Sequence, residues 1–234
     1  MNAFADIRES LGAYLKDEII PRYACFDSAH REDHAQTVIC QAMKLLDRME
    51  PWLCGQAEDV AAYWKSLIPG NGSIDREVLI TAAACHDLGL KSGRERHHID
   101  SGAIIRSDAR LQEWFNPDEI EIIAQAAEDH RASGKSAPRS IYGMIVAEAD
   151  RVIDGETIIR RTIQFGLNNY PGLDREGHLS RAISHLHEKY GRGGYLKLWI
   201  PWSDNAARLA ELQETIADDS AIFDETVRIY ESLV

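Results

Sequence analysis

Apolar residues recur every third or fourth position along most of the chain, the period of a helix with one buried face. In "DIRESLGAYLKDEII" they fall at Ile7, Leu11, Leu15 and Ile19, a single stripe. "HAQTVICQAMKLLDRM" keeps the period and is expected to stop before Pro51, since proline lacks the N–H that an interior helical position donates. "EDVAAYWKSLI" runs to Pro69, and "IDREVLITAAACHD" carries acidic residues in its first turn, where the helix dipole favours them. "NPDEIEIIAQAAEDHR" has the strongest start signal: Asn116 can cap, Pro117 suits the first helical position, and Glu119 stands where a capping box needs it. "PRSIYGMIVAEADRVI" is read as opening on its proline in the same manner. The C-terminal half offers three more helices, "GHLSRAISHLHEKY", "SDNAARLAELQETIADD" and "SAIFDETVRIYESLV". No alternating runs joined by hairpin turns occur, so the expected fold is all-α, one domain with the last three helices packed as an extension. The glycine-rich "GRGGYLK" at 191–197 lacks the spacing of a phosphate-binding loop and reads as a chain reversal.

Composition narrows the class. With 234 residues, 44% hydrophobic and 27% charged, the chain can build a sizeable globular core. No apolar run approaches the length of a membrane span, and the charged N-terminus is unlike a secretory signal, so a cytoplasmic location is expected. A net charge of −12 argues against a surface for duplex nucleic acid. It leaves room for a local anion pocket, or for a negative cleft that attracts cations. Cys25, Cys40, Cys54 and Cys85 form no CxxC pair and read as buried thiols. None of this bears on oligomeric state.

Several polar residues break otherwise apolar faces. His34 stands one turn before Val38, His86 follows Leu79 and Ala82, and His130 follows Ile123 and Ala126 at the same spacings. Asp150 shares a face with Val146, Ala147 and Ile153. A buried carboxylate needs a partner, and Arg139 or Arg151 could serve. Four inward polar residues on four helices are better explained by convergence on a cation in the bundle core. Imidazole and carboxylate suit manganese, iron, cobalt, nickel or zinc more than magnesium. His86 and Asp87 can reach one ion if the helix ends there, and Gly89 is read as supplying that ending.

The order His34, His86–Asp87, Asp150 resembles the H…HD…D signature of the HD-domain superfamily, metal-dependent phosphohydrolases with an all-α core. "AHREDHAQTV", "AAACHDLG" and "VAEADRVID" are similar to its first, second and last motifs, and the resemblance spans about residues 27–154, with 155–234 as the helical extension. It implies His34, His86, Asp87 and Asp150 as metal ligands, with Asp87 also orienting a metal-activated water. "HHIDSGAII" resembles the histidine segment of binuclear members, and its glycine spacing favours His98 over His97, which is read as a surface residue. His98 and "AAEDHRASG" His130 then hold a second ion or contact phosphate, and Arg131 and Lys135 stabilise developing negative charge. His30 reads as lying outside the ligand set.

Two departures matter. The residues after His130 lack the GYP motif of members that degrade cyclic dinucleotides, and Leu90, with Lys91 next, stands where a lysine often follows "HD-x-G". The expected activity is hydrolysis of a phosphate ester or anhydride of a nucleotide or small metabolite, with one or two divalent ions. The rivals are a di-iron HD-type oxygenase using His34, His86, Asp87, His98, His130 and Asp150, and a catalytically silent metal-binding module. His178, His185 and His187 read as surface histidines, and Trp199 and Trp202 as packing residues.

Overall fold

The computed structural model describes residues 4, 6–26, 30–69, 72–131 and 136–234. Among the described residues there are eleven α-helices, a few short 3₁₀ and π segments, and no strand, so the fold is all-α. The chain groups into two compact units, Met1–Arg151 and Val152–Val234, where the sequence suggests one domain with an extension from about 155. No described helix is long and apolar enough to cross a membrane.

In the first unit, α1 (Glu9–Tyr14) runs into a π turn and then a 3₁₀ segment, Ile20–Cys25. Pro21 has no N–H for the α pattern, which is one reason the helix changes type there. Leu11, Leu15 and Ile19 of the expected stripe are fully buried. The next helix, α2 (Glu32–Cys54), does not stop before Pro51 but passes through it. Pro51 is exposed, and Met49 and Leu53 on either side are buried, so packing holds the turn despite the missing hydrogen bond. Beyond α3 (Glu58–Ser66), α4 (Arg76–Cys85) is capped by the Asp75 carboxylate, which accepts from the N–H groups of Glu77 and Val78. Every residue from Val78 to Cys85 is buried, making α4 the centre of this unit, against α2, α6 and α7.

A 3₁₀ segment, Leu88–Ser92, leads to α5 (His97–Ser107). Gly89 does not end α4 by a left-handed turn. A Cβ there would come within 2.0 Å of the His97 carbonyl oxygen and 2.6 Å of the Ser101 nitrogen. Gly89 is needed because the backbone of α5 packs directly on it, and its N–H donates to Ser101 Oγ at 2.9 Å. Next, α6 (Pro117–Asp129) starts with the expected capping box of Asn116 and Glu119. By contrast α7 (Ile141–Asp150) begins three residues after Pro138 and is capped by the Ser140 hydroxyl, which accepts from the Gly143 N–H.

The second unit holds four helices, not three: α8 (Gly155–Asn169), α9 (Arg175–Tyr190), α10 (Asn205–Ala217) and α11 (Asp219–Glu231). The added helix, α8, buries Ile158, Ile159, Thr162, Ile163 and Gly166, a stripe interrupted by arginines, threonine and glycine. Its core joins Ile159, Ile163, Leu179, Leu186, Ile216, Ile222 and Ile229. His178 is part of that packing rather than surface, 4% exposed with its ring 6.2 Å from that of Tyr230. Trp202 is buried, and residues 191–197 lie outside any helix. Of the cysteines only Cys85 is fully buried; Cys25 and Cys54 are exposed, Cys40 is intermediate, and all are free thiols.

Candidate metal centre

Four helix ends and the turn after α4 bring histidines and aspartates together. His34 comes from the first turn of α2, His86 and Asp87 from just beyond α4, His97 from the start of α5, His130 from the end of α6, and Asp150 from the end of α7. His86 and Asp87 are buried because the alanine run Ala82–Ala84 lets neighbouring helices close around α4. Tyr23 fixes this corner: its hydroxyl donates to the Ala84 carbonyl at 2.8 Å and accepts from the Asp87 N–H at 3.2 Å.

The two oxygens of Asp87 face two different groups. Oδ2 lies 3.3 Å from His86 Nε2 and 3.7 Å from His34 Nε2. Asp150 Oδ1 joins this side, 3.2 Å from His34 Nε2 and 3.8 Å from His86 Nε2. Oδ1 lies 3.4 Å from His97 Nε2 and 3.3 Å from His130 Nε2. One ligand atom from each of His34, His86 and Asp87 lies within 4.8 Å of the other two, and so it is for Asp87, His97 and His130.

The backbone decides which nitrogen of three of these rings is available. The Nδ1 of His86 is 2.8 Å from the Ala83 carbonyl, that of His97 is 2.7 Å from the Arg94 carbonyl, and that of His130 is 2.5 Å from the Ala127 carbonyl. A carbonyl only accepts, so each Nδ1 carries the hydrogen, and in the neutral ring Nε2 offers a lone pair to the cluster. His97 Nε2 and His130 Nε2 face one another at 3.2 Å, an arrangement of two lone pairs that a cation or proton between them relieves. His34 Nε2, His86 Nε2 and Asp87 Oδ1 are buried atoms with no aligned hydrogen bond. Unsatisfied buried polar groups are costly, and this donor set is that of a divalent-metal site, so the residues fit such an ion.

The electrostatics point the same way. Burial opposes a charge on Asp87, yet His86 and His130 beside it hold its carboxyl well below the usual range. Burial likewise opposes charge on Asp150, and His34, His86 and His130 overcome it. Burial lowers the pKa of His86, but Asp87 and Asp150 outweigh that and push it up to about 9.

Of the residues singled out from the sequence, the structure gathers His34, His86, Asp87, His130 and Asp150. It brings in His97 rather than His98, a correction with a simple cause: adjacent residues of a helix point about 100° apart, so only one can face Asp87. His98 Nδ1 is buried without a partner, and burial followed by the charge of Arg131 pushes its pKa down to about 4. Arg139 pairs with Asp129 and Glu128, not Asp150. Arg131 Nη1 donates to the Glu95 carbonyl at 2.5 Å, and Lys135 lies outside the described residues. The His30 ring packs edge-on against His34, centroids 5.5 Å apart. Tyr23 was not legible as part of the site, because an aromatic within an apolar stripe carries no sign that its hydroxyl holds the turn bearing His86 and Asp87.

An all-α bundle with a histidine–aspartate cluster where its helices end defines a helical protein with a candidate metal centre. Its family follows from the sequence: the HD domain model matches residues 31–153, more than half of the chain and all six cluster positions. The chain belongs to the HD-domain family. No curated protein and no solved structure matches it.

Proposed function

We propose that this chain is a metal-dependent phosphohydrolase that hydrolyses a phosphate ester or anhydride of a nucleotide or small metabolite in the cytoplasm. His34, His86, Asp87 and Asp150 would hold one divalent ion, and Asp87, His97 and His130 a second. The observation that carries this reading is Asp87, whose two oxygens address two separate sets of imidazole nitrogens. Divalent ions at such a site supply a water of lowered pKa and neutralise charge on phosphoryl oxygens. The chain's own residues do the rest. Asp87 stays ionised, orients the attacking water and is kept in register by Tyr23. The carbonyls of Ala83, Arg94 and Ala127 hold the imidazole rings in one tautomer and one orientation, as outer partners of metal ligands commonly do. The shared carboxylate also suits a di-iron centre, the second reading.

The test is elemental analysis of the purified chain beside His86→Ala, followed by phosphate release from nucleotides and small phosphate esters. We expect up to two ions of manganese, iron, cobalt, nickel or zinc per chain, a loss in the variant, and metal-dependent phosphate release. Two irons with oxygen uptake and no phosphate release would instead support the oxygenase. Bound metal with neither activity would support a silent module, and no metal after reconstitution would sink the proposal.

A further inference from the structure

Arg94 is tied to both halves of the cluster. Gly93, at φ +103°, takes a backbone conformation that L side chains rarely adopt and turns the chain out of the 3₁₀ segment. The carbonyl of Arg94 then accepts from His97 Nδ1, on the side of Asp87 Oδ1. Its guanidinium reaches the opposite side, with Nη2 3.1 Å from His30 Nδ1, and the His30 ring packs against that of His34. Arg131 pins the next residue, Glu95, through its carbonyl. Arg94 itself is exposed, so a chain of net charge −12 places a cation next to the histidine–aspartate cluster.

We propose that Arg94, backed by His30, is a phosphate-recognition subsite that selects terminal phosphates (phosphomonoesters and terminal anhydride phosphates) over phosphodiesters. The proposal rests on the phosphohydrolase reading. A terminal phosphate presents three anionic or acceptor oxygens, whereas a diester has two, because the third carries a second ester substituent. Ions held by the two groups that share Asp87 would neutralise charge on phosphoryl oxygens, and Arg94, tied to both groups, would add hydrogen bonds to the further oxygen that only a terminal phosphate offers. Guanidinium–phosphate hydrogen bonds are charge-assisted and directional, which makes this contact discriminating rather than merely attractive. In the reaction served, the water oxygen bonds to phosphorus as the bond from phosphorus to the leaving oxygen breaks. One water proton goes to that leaving oxygen.

The experiment is calorimetric titration of the metal-reconstituted full chain with inorganic phosphate and with dimethyl phosphate, metal content being measured in every sample. Arg94→Gln and Arg94→Lys are compared with Lys91→Gln, a charge removal at an exposed position of the neighbouring 3₁₀ segment. We expect wild type and Lys91→Gln to bind phosphate alike and dimethyl phosphate not at all. Arg94→Gln should weaken phosphate binding about ten- to a hundredfold with metal content unchanged, and Arg94→Lys should recover part of the loss. Equal phosphate affinity in Arg94→Gln would overturn the subsite and leave the hydrolase reading standing. So would dimethyl phosphate binding as tightly as phosphate. Loss of metal in Arg94→Gln would overturn it too, since Arg94 would then act through His97. A metal-loaded wild type that binds no phosphate would count against the hydrolase reading itself.

Discussion

Tyr23 shows how one hydroxyl can serve a site it never enters. Its removal in Tyr23→Phe leaves the Ala84 carbonyl and the Asp87 N–H unpaired in a fully buried corner. We expect a loss of about 1–3 kcal/mol in urea unfolding and a weaker metal affinity, read by competition with a chromophoric chelator. Unchanged metal affinity would separate Tyr23 from the cluster. Most cluster residues were legible individually, because His34, His86, His130 and Asp150 each interrupt an apolar face. The choice between His97 and His98 was not, since glycine spacing carries no information about which of two adjacent rings the start of a helix turns inward. Tyr23 lies before residues 31–153 and belongs to no motif, so only its contacts reveal it.

At the scale of elements, legibility followed the strength of local signals. The start of α6 was readable to the residue because cap, proline and capping box agree. Passage of α2 through Pro51 was not readable, since it depends on tertiary packing of Met49 and Leu53. The first turn of α5 begins among charged residues, and arginines, threonine and glycine break up the stripe of α8, so neither was read as a helix. Between α5 and α6, Arg106 grips Glu121 at 2.7 Å and holds its carboxyl down at about 2, against an ordinary value of 4.5. A depressed carboxyl stabilises the fold above its unfolded value and loses that contribution as acid protonates it. The pair should therefore matter at pH 5 and fade between about pH 4.5 and pH 2. Because Glu121 is 45% exposed, the effect is small, about 1 kcal/mol or less. Thermal melts of Arg106→Gln should show a smaller fall in Tm from pH 5 to pH 3 than the wild type.

For the molecule as a whole, the all-α class was legible from periodicity alone, whereas the grouping into two compact units depends on contacts that no local pattern encodes. The first unit gathers its cluster from four helices and the turn after α4, so a bound ion cross-links segments far apart in sequence. An ion that binds only the folded chain stabilises it by mass action, about 2.7 kcal/mol at a hundredfold excess over Kd. Chelation should lower Tm, readdition should restore it, and His86→Ala should abolish the difference. A Tm indifferent to chelator in metal-loaded wild type would mean that the ion is not held by the folded cluster.

The packing of Gly89 against α5 makes the two halves of the centre separable. A methyl group there has no room beside the His97 carbonyl, and His97 is the cluster residue that α5 contributes. With the two ions proposed, Gly89→Ala should push the first turn of α5 aside and lower metal stoichiometry, read by elemental analysis, from two to one. If both groups hold an ion as proposed, one small residue that binds nothing would set whether the scaffold holds two ions or one.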